Sequence, residues 1–112
     1  MGGDEDDFWP SADTVALALC ASARQVGEGA LLKFASGGAR TFAATAGEMR
    51  CRLPALAALA AFYPGRTWTE LGRLCGVAKK PVSALNDAKR SDWWPGEGEA
   101  AFNAAMEALE AA

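Results

Sequence analysis

The residues of this chain predict an all-α protein, a single domain of five to six helices containing a helix-turn-helix, on three observations. Apolar residues make up 51% of the chain and lean on Ala, which favours helix, while β-branched residues are scarce. They recur at three- and four-residue spacings with no alternating strand pattern. Residues 68 to 90 place glycine and apolar side chains at the offsets that two short crossing helices need. A chain of 112 residues has the size of one domain and buries a core without metal or disulfide help.

Residues 1 to 8 read as a disordered acidic tail and residues 9 to 112 as the helical domain. Trp9-Pro10-Ser11 opens the first helix, with Ser11 as N-cap and Asp13 favourable in the first turn. Ala12, Val15, Ala16, Leu19, Ala23 and Val26 form its apolar stripe, and Gly27 and Gly29 end it. A short helix is expected from Gly29 to Ala35, stopped by Gly37-Gly38.

The next helical stretch spans Arg40 to Phe62, with Gly47 and Pro54 as points where it splits or kinks. The capping-box spacing of Thr45 and Glu48 offers a start near residue 46 instead. Leu56, Leu59, Ala60 and Tyr63 share a face, and Tyr63-Pro64-Gly65 is a stop. Helices then follow over Thr69–Cys75 and Lys80–Arg90. Asp92 to Gly96 reads as a non-helical aromatic patch, whose Trp93 and Trp94 suit closing the core, with stacking on bases as the alternative. A last helix over Glu97–Ala111 carries Phe102, Met106 and Leu109 on one face, as core or as an interface.

Several function classes fall away. Cys20, Cys51 and Cys75 are odd in number, lack CxxC spacing and have no histidine to complete a zinc site, so they read as reduced, small hydrophobes. Without histidine the common general base is missing, and no Ser or Cys has an activating neighbour; neither enzyme nor cofactor is expected. No apolar run approaches the roughly 18 to 20 residues of a membrane span, and no basic-then-apolar leader is present, which predicts a cytoplasmic, nucleoid-associated protein.

The net charge of −3 conceals an asymmetry. Residues 1 to 7 and 96 to 112 each carry −4, while residues 8 to 95 hold all eleven basic residues against six acids, or +5. Within residues 40 to 90, nine basic residues face three acids. Such a basic middle suits a polyanionic partner.

In the segment from Trp68 to Leu85, Gly72 sits where a second helix crosses closely, and Gly76 where a left-handed turn is needed. Val77 plugs that turn into the core, and Val82 and Leu85 are expected to be buried with Leu71 and Cys75. Pro81 fits the first turn of the second helix. Lys79, Lys80, Ser83, Ala84, Asn86 and Asp87 are then presented outward, with Lys89 and Arg90 at the helix end. Ser83 and Asn86 are the expected base readers; Lys79 and Lys80 suit phosphate or guanine. Asp87 accepts from a cytosine amino group or pairs with a neighbouring cation. Arg40, Arg50, Arg52, Arg66 and Arg73 are the expected backbone clamps.

Glu70-Leu71-Gly72-Arg73-Leu74-Cys75-Gly76 resembles the E-I-G-R-x-F-G opening of the helix-turn-helix in the C-terminal domain of the replication initiator DnaA. The resemblance covers about residues 50 to 90, with Leu53 to Tyr63 in the place of the preceding apolar helix. The initiator's Asp-His-Thr is absent; Lys79-Lys80-Pro81 stands there, so the likeness implies the fold and not origin recognition. The order of segments also looks like that of the DNA-binding activators of alphaproteobacterial gene transfer agent clusters. That likeness implies promoter binding together with RNA polymerase or another transcription factor.

The expected function is sequence-specific double-stranded DNA binding in transcription regulation, with residues 46 to 90 as a three-helix unit. A single motif needs help to bind tightly, from a homodimer, a second site or a protein partner. The alternatives are a helical protein–protein adaptor and a DnaA-like or architectural DNA binder.

Overall fold

A computed structural model describes residues 10–26, 46–77 and 80–111 of the chain. Among these it contains five α-helices and no strand: α1 (Ala12–Val26), α2 (Ala46–Phe62), α3 (Trp68–Cys75), α4 (Pro81–Lys89) and α5 (Glu99–Ala111). A π-helical turn, Trp94–Gly98, leads directly into α5. The all-α expectation holds. The acidic tail, the short helix over 29–35 and the Thr45–Glu48 cap lie outside the described residues or side chains. No described helix is long and apolar enough to cross a membrane.

α1 begins as its residues require: the Ser11 hydroxyl accepts from the Thr14 N–H at 3.1 Å, and Asp13 sits in the first turn. Val15, Ala18, Leu19, Ser22 and Ala23 are buried, a helical stripe against α2 and α5. Ser22 joins that stripe because its hydroxyl donates 2.6 Å to the Cys51 carbonyl of α2, which satisfies a polar group in the core.

α2 is the central post. It runs unbroken through Pro54, and every residue from Cys51 to Leu59 is buried. The one-faced stripe expected from Leu56, Leu59, Ala60 and Tyr63 is therefore too narrow, since α1, α3, α4 and α5 surround the helix. Its alanines, with Ala18 and Ala23 of α1 and Ala101 and Ala105 of α5, keep the interhelical spacing short. Pro54 removes one helical hydrogen bond, a cost of about 3 kcal/mol offset by burial on all sides.

α5 buries Ala101, Ala105 and Leu109, leaving Phe102 and Met106 half-buried on the flank. Leu109 is buried as expected, while Ala101 and Ala105 take the places expected of Phe102 and Met106, because α1 and α2 approach closely enough to select small side chains. The helix is part of the monomer's own core.

The aromatic segment is helical, contrary to expectation. The Gly98 N–H donates to the Trp93 carbonyl at 3.1 Å, closing a five-residue turn. A side chain at Gly98 would place its Cβ 2.6 Å from the Trp94 ring and 2.9 Å from Trp93. Glycine thus lets the backbone run beneath two indoles whose centroids are 5.5 Å apart, with Trp94 in the core.

Candidate nucleic-acid interface

α3 starts at a reciprocal cap absent from the expected boundary at Thr69. The Thr67 hydroxyl accepts from the Glu70 N–H at 3.1 Å, and the Glu70 carboxylate accepts from the Thr67 N–H at 3.0 Å. Donation from the Thr67 N–H, and from the Thr67 hydroxyl at 3.1 Å, holds the Glu70 carboxyl below its ordinary range. The Thr67-x-x-Glu70 spacing was the available signal.

The far end of α3 is closed by backbone geometry. Gly76 adopts φ 80°, ψ 20°, its N–H donates to the Arg73 carbonyl at 3.3 Å, and the Val77 N–H donates to the Gly72 carbonyl at 2.6 Å. This paired arrangement satisfies carbonyls that the helix leaves open, and Val77 enters the core. A Cβ on Gly72 would lie 2.6 Å from the Val77 oxygen and 2.9 Å from Pro81 Cβ. Gly72 is where α4 makes its close approach to α3.

That contact changes the face α4 buries. Pro81 occupies the space over Gly72, so the buried series is Pro81, Leu85 and Ala88. Val82 was expected inside; it is 43% exposed, about 100° around the helix from Pro81. Lys80, Val82, Ser83, Asn86, Asp87, Lys89 and Arg90 are exposed, while Ala84 is half-buried. Val82, Ser83, Asn86, Asp87 and Arg90 follow one another along a single outward stripe. Lys89 lies to the side, towards α5.

Lys80 precedes α4 with φ 46°, ψ 58°, the one left-handed non-glycine residue among those described. That conformation costs about 1–2 kcal/mol in an L-residue. Lys80→Asn, which tolerates the conformation and adds a cap acceptor, is expected to raise unfolding stability by about 0.5–1 kcal/mol in urea denaturation. An unchanged or lower midpoint would show that Lys80 is unstrained.

The basic residues divide sharply. Arg52 was expected to clamp phosphate; it is fully buried, and its guanidinium donates 3.1 Å to the Cys75 carbonyl at the end of α3. It is an internal cap and cannot reach DNA, a correction that follows from α2 being enclosed. Arg50 makes a 3.5 Å ion pair with Glu97 and lies 5.6 Å over the Trp93 ring, tying α2 to the π turn. Arg66 is half-buried in the turn before α3, and Arg73 is exposed in the last turn of α3. Asp87 pairs with Arg90 at 2.8 Å, realising one of its two expected roles. Both side chains are some three-quarters exposed, so the pair contributes at most about 1 kcal/mol. Arg40 and Lys79 lie outside the described residues.

In comparisons with known proteins, no family model, no curated protein and no solved structure matches this chain.

Proposed function

We propose that the protein is a sequence-specific, double-stranded DNA-binding regulator of transcription, an activator that works at promoters with RNA polymerase or a partner activator. The observation that carries this reading is the α3–α4 unit. Gly72, the Gly76 turn and Pro81 lock two short helices together while Ser83 and Asn86 project from the first turns of α4. Side chains near the start of the second helix are those that reach base edges in the major groove.

In this reading Asn86 bridges the N6 and N7 edge of adenine, Ser83 serves as donor or acceptor, and the outward Val82 meets a thymine methyl. Lys80, strained at the helix start, and Arg73 contact phosphate. The pairing of Asp87 with Arg90 relieves the repulsion that a lone carboxylate would feel there. The exposure of Trp68 and Val82 favours a second reading, an adaptor docking a protein partner, because exposed aromatics with nearby cations are enriched in such interfaces.

Cross-linking of the tagged protein to genomic DNA, compared with a Lys80→Ala, Ser83→Ala, Asn86→Ala variant of unchanged helical content, separates the readings. Sharp promoter peaks lost in the variant are expected. A flat profile identical in both proteins would overturn DNA recognition and leave the adaptor. With a site in hand, Arg73→Ala is expected to weaken binding equally across sequences and reduce the salt slope by about one.

A further inference from the structure

A cavity of about 310 Å³ opens beside the base of α4, lined by Ala57 of α2, Lys89 of α4, Trp94 of the π turn, and Glu99, Phe102 and Asn103 of α5. Its walls combine two aromatic rings with three polar side chains. Lys89 and Glu99 bring opposite charges to this one cavity, yet they pair neither with each other nor with another described residue. The Asn103 amide and the Trp94 indole N–H likewise make no hydrogen bond to a described side chain or carbonyl. Lys89, Glu99 and Asn103 are solvent-exposed, so two opposite charges and an amide stand free at the mouth of a cavity that Trp94 and Phe102 help to line.

We infer that this cavity binds a small zwitterion with an apolar body, a free α-amino acid bearing an aromatic or branched aliphatic side chain. Its carboxylate meets Lys89 Nζ, its ammonium meets the Glu99 carboxylate and Asn103 Oδ1, and its side chain lies among Trp94, Phe102 and Ala57. The volume stands at the lower end of small-molecule sites, which suits one amino acid. Lys89 is the last residue of α4, so an occupant joins the base of that helix to α5. Where α4 is the DNA-reading helix, as proposed above, the bound amino acid holds it in place and raises DNA affinity, by the reciprocal coupling of two sites on one element.

The test is titration of the full chain with L-phenylalanine and L-leucine, followed through the Trp94 indole and Asn103 amide signals in ¹H–¹⁵N spectra. Saturable shifts at those two groups are expected, weakened about tenfold or more by Lys89→Gln and by Glu99→Gln in variants with unchanged melting temperature. Phenethylamine and hydrocinnamate, each lacking one charge, should bind similarly weakly. Absence of shifts up to about 10 mM, an affinity floor below any useful site, overturns the inference. So do shifts that neither variant diminishes. Because this readout contains no DNA, failure of the DNA reading leaves the binding result standing. A second titration, of DNA affinity with and without L-phenylalanine in wild type and Glu99→Gln, tests the coupling: a rise in wild type alone supports it, and equal affinities overturn it.

Discussion

Replacing Arg52 by alanine is expected to destabilise the protein by about 3–5 kcal/mol, a large fraction of what a domain of this size possesses. Arg52 is fully buried, and its guanidinium satisfies the Cys75 carbonyl, one of the acceptors that α3 leaves without an intrahelical donor. Its positive charge also lies at the negative end of the helix. Alanine would remove the charged donor, leave that carbonyl orphaned in the interior and open a cavity between α2 and α3. Arg52→Met, which keeps most of the volume, should lose less.

Urea denaturation reads the stability directly, and a loss under about 1 kcal/mol would mean that the guanidinium is not part of the interior. The neighbouring Cys75 thiol supplies a second readout. Burial pushes its pKa from 9.0 up to about 12, outweighing the attraction of Arg52 for the thiolate. A raised thiol pKa gives stability that is fully present below the unfolded value near 9.0 and is lost as pH rises towards 12. Native Cys75 should therefore alkylate slowly at neutral pH, and much faster in Arg52→Ala, where the end of α3 opens.

The second large effect is expected at Gly72. In an ordinary helix interior, glycine to alanine gains about 1 kcal/mol. Here the added Cβ would meet the Val77 carbonyl at 2.6 Å and the Pro81 ring at 2.9 and 3.1 Å, and neither a backbone oxygen nor a proline ring swings aside. Overpacking should outweigh the propensity gain, leaving Gly72→Ala destabilised by about 1–3 kcal/mol. Relief requires shifting the Val77 carbonyl in the turn and prising α4 away from α3, so the proposed DNA affinity should fall further than stability alone explains. Gly65→Ala is the control: no atom lies within 4 Å of its Cβ, and a change within about ±0.5 kcal/mol is expected. Equal midpoints for the two variants would remove the close crossing from the account.

The features legible in the sequence are those whose physics is local. The all-helical class follows from composition and spacing. Gly76 is required by the left-handed turn, Pro81 is compatible with a first helical turn, and Ser11 caps α1 because its hydroxyl reaches an N–H three residues away. Each depends on residues within one turn of chain. Glu70 with Thr67 was equally local and equally readable, although the expected helix began one residue late.

Tertiary structure decided everything that depends on which neighbour arrives from elsewhere. Arg52 and Arg50 are both basic residues on α2, yet one caps α3 from inside and the other bridges to Glu97, because the first faces α3 and the second the π turn. Val82, expected inside, lies outside because Pro81 fills the space above Gly72. Phe102 gives up its expected core position to Ala101 because the helices around α2 lie close together. Conformational preference belongs to a residue and its immediate chain, and so can be read along one dimension. Burial and charge pairing belong to surfaces that exist only after the helices have packed.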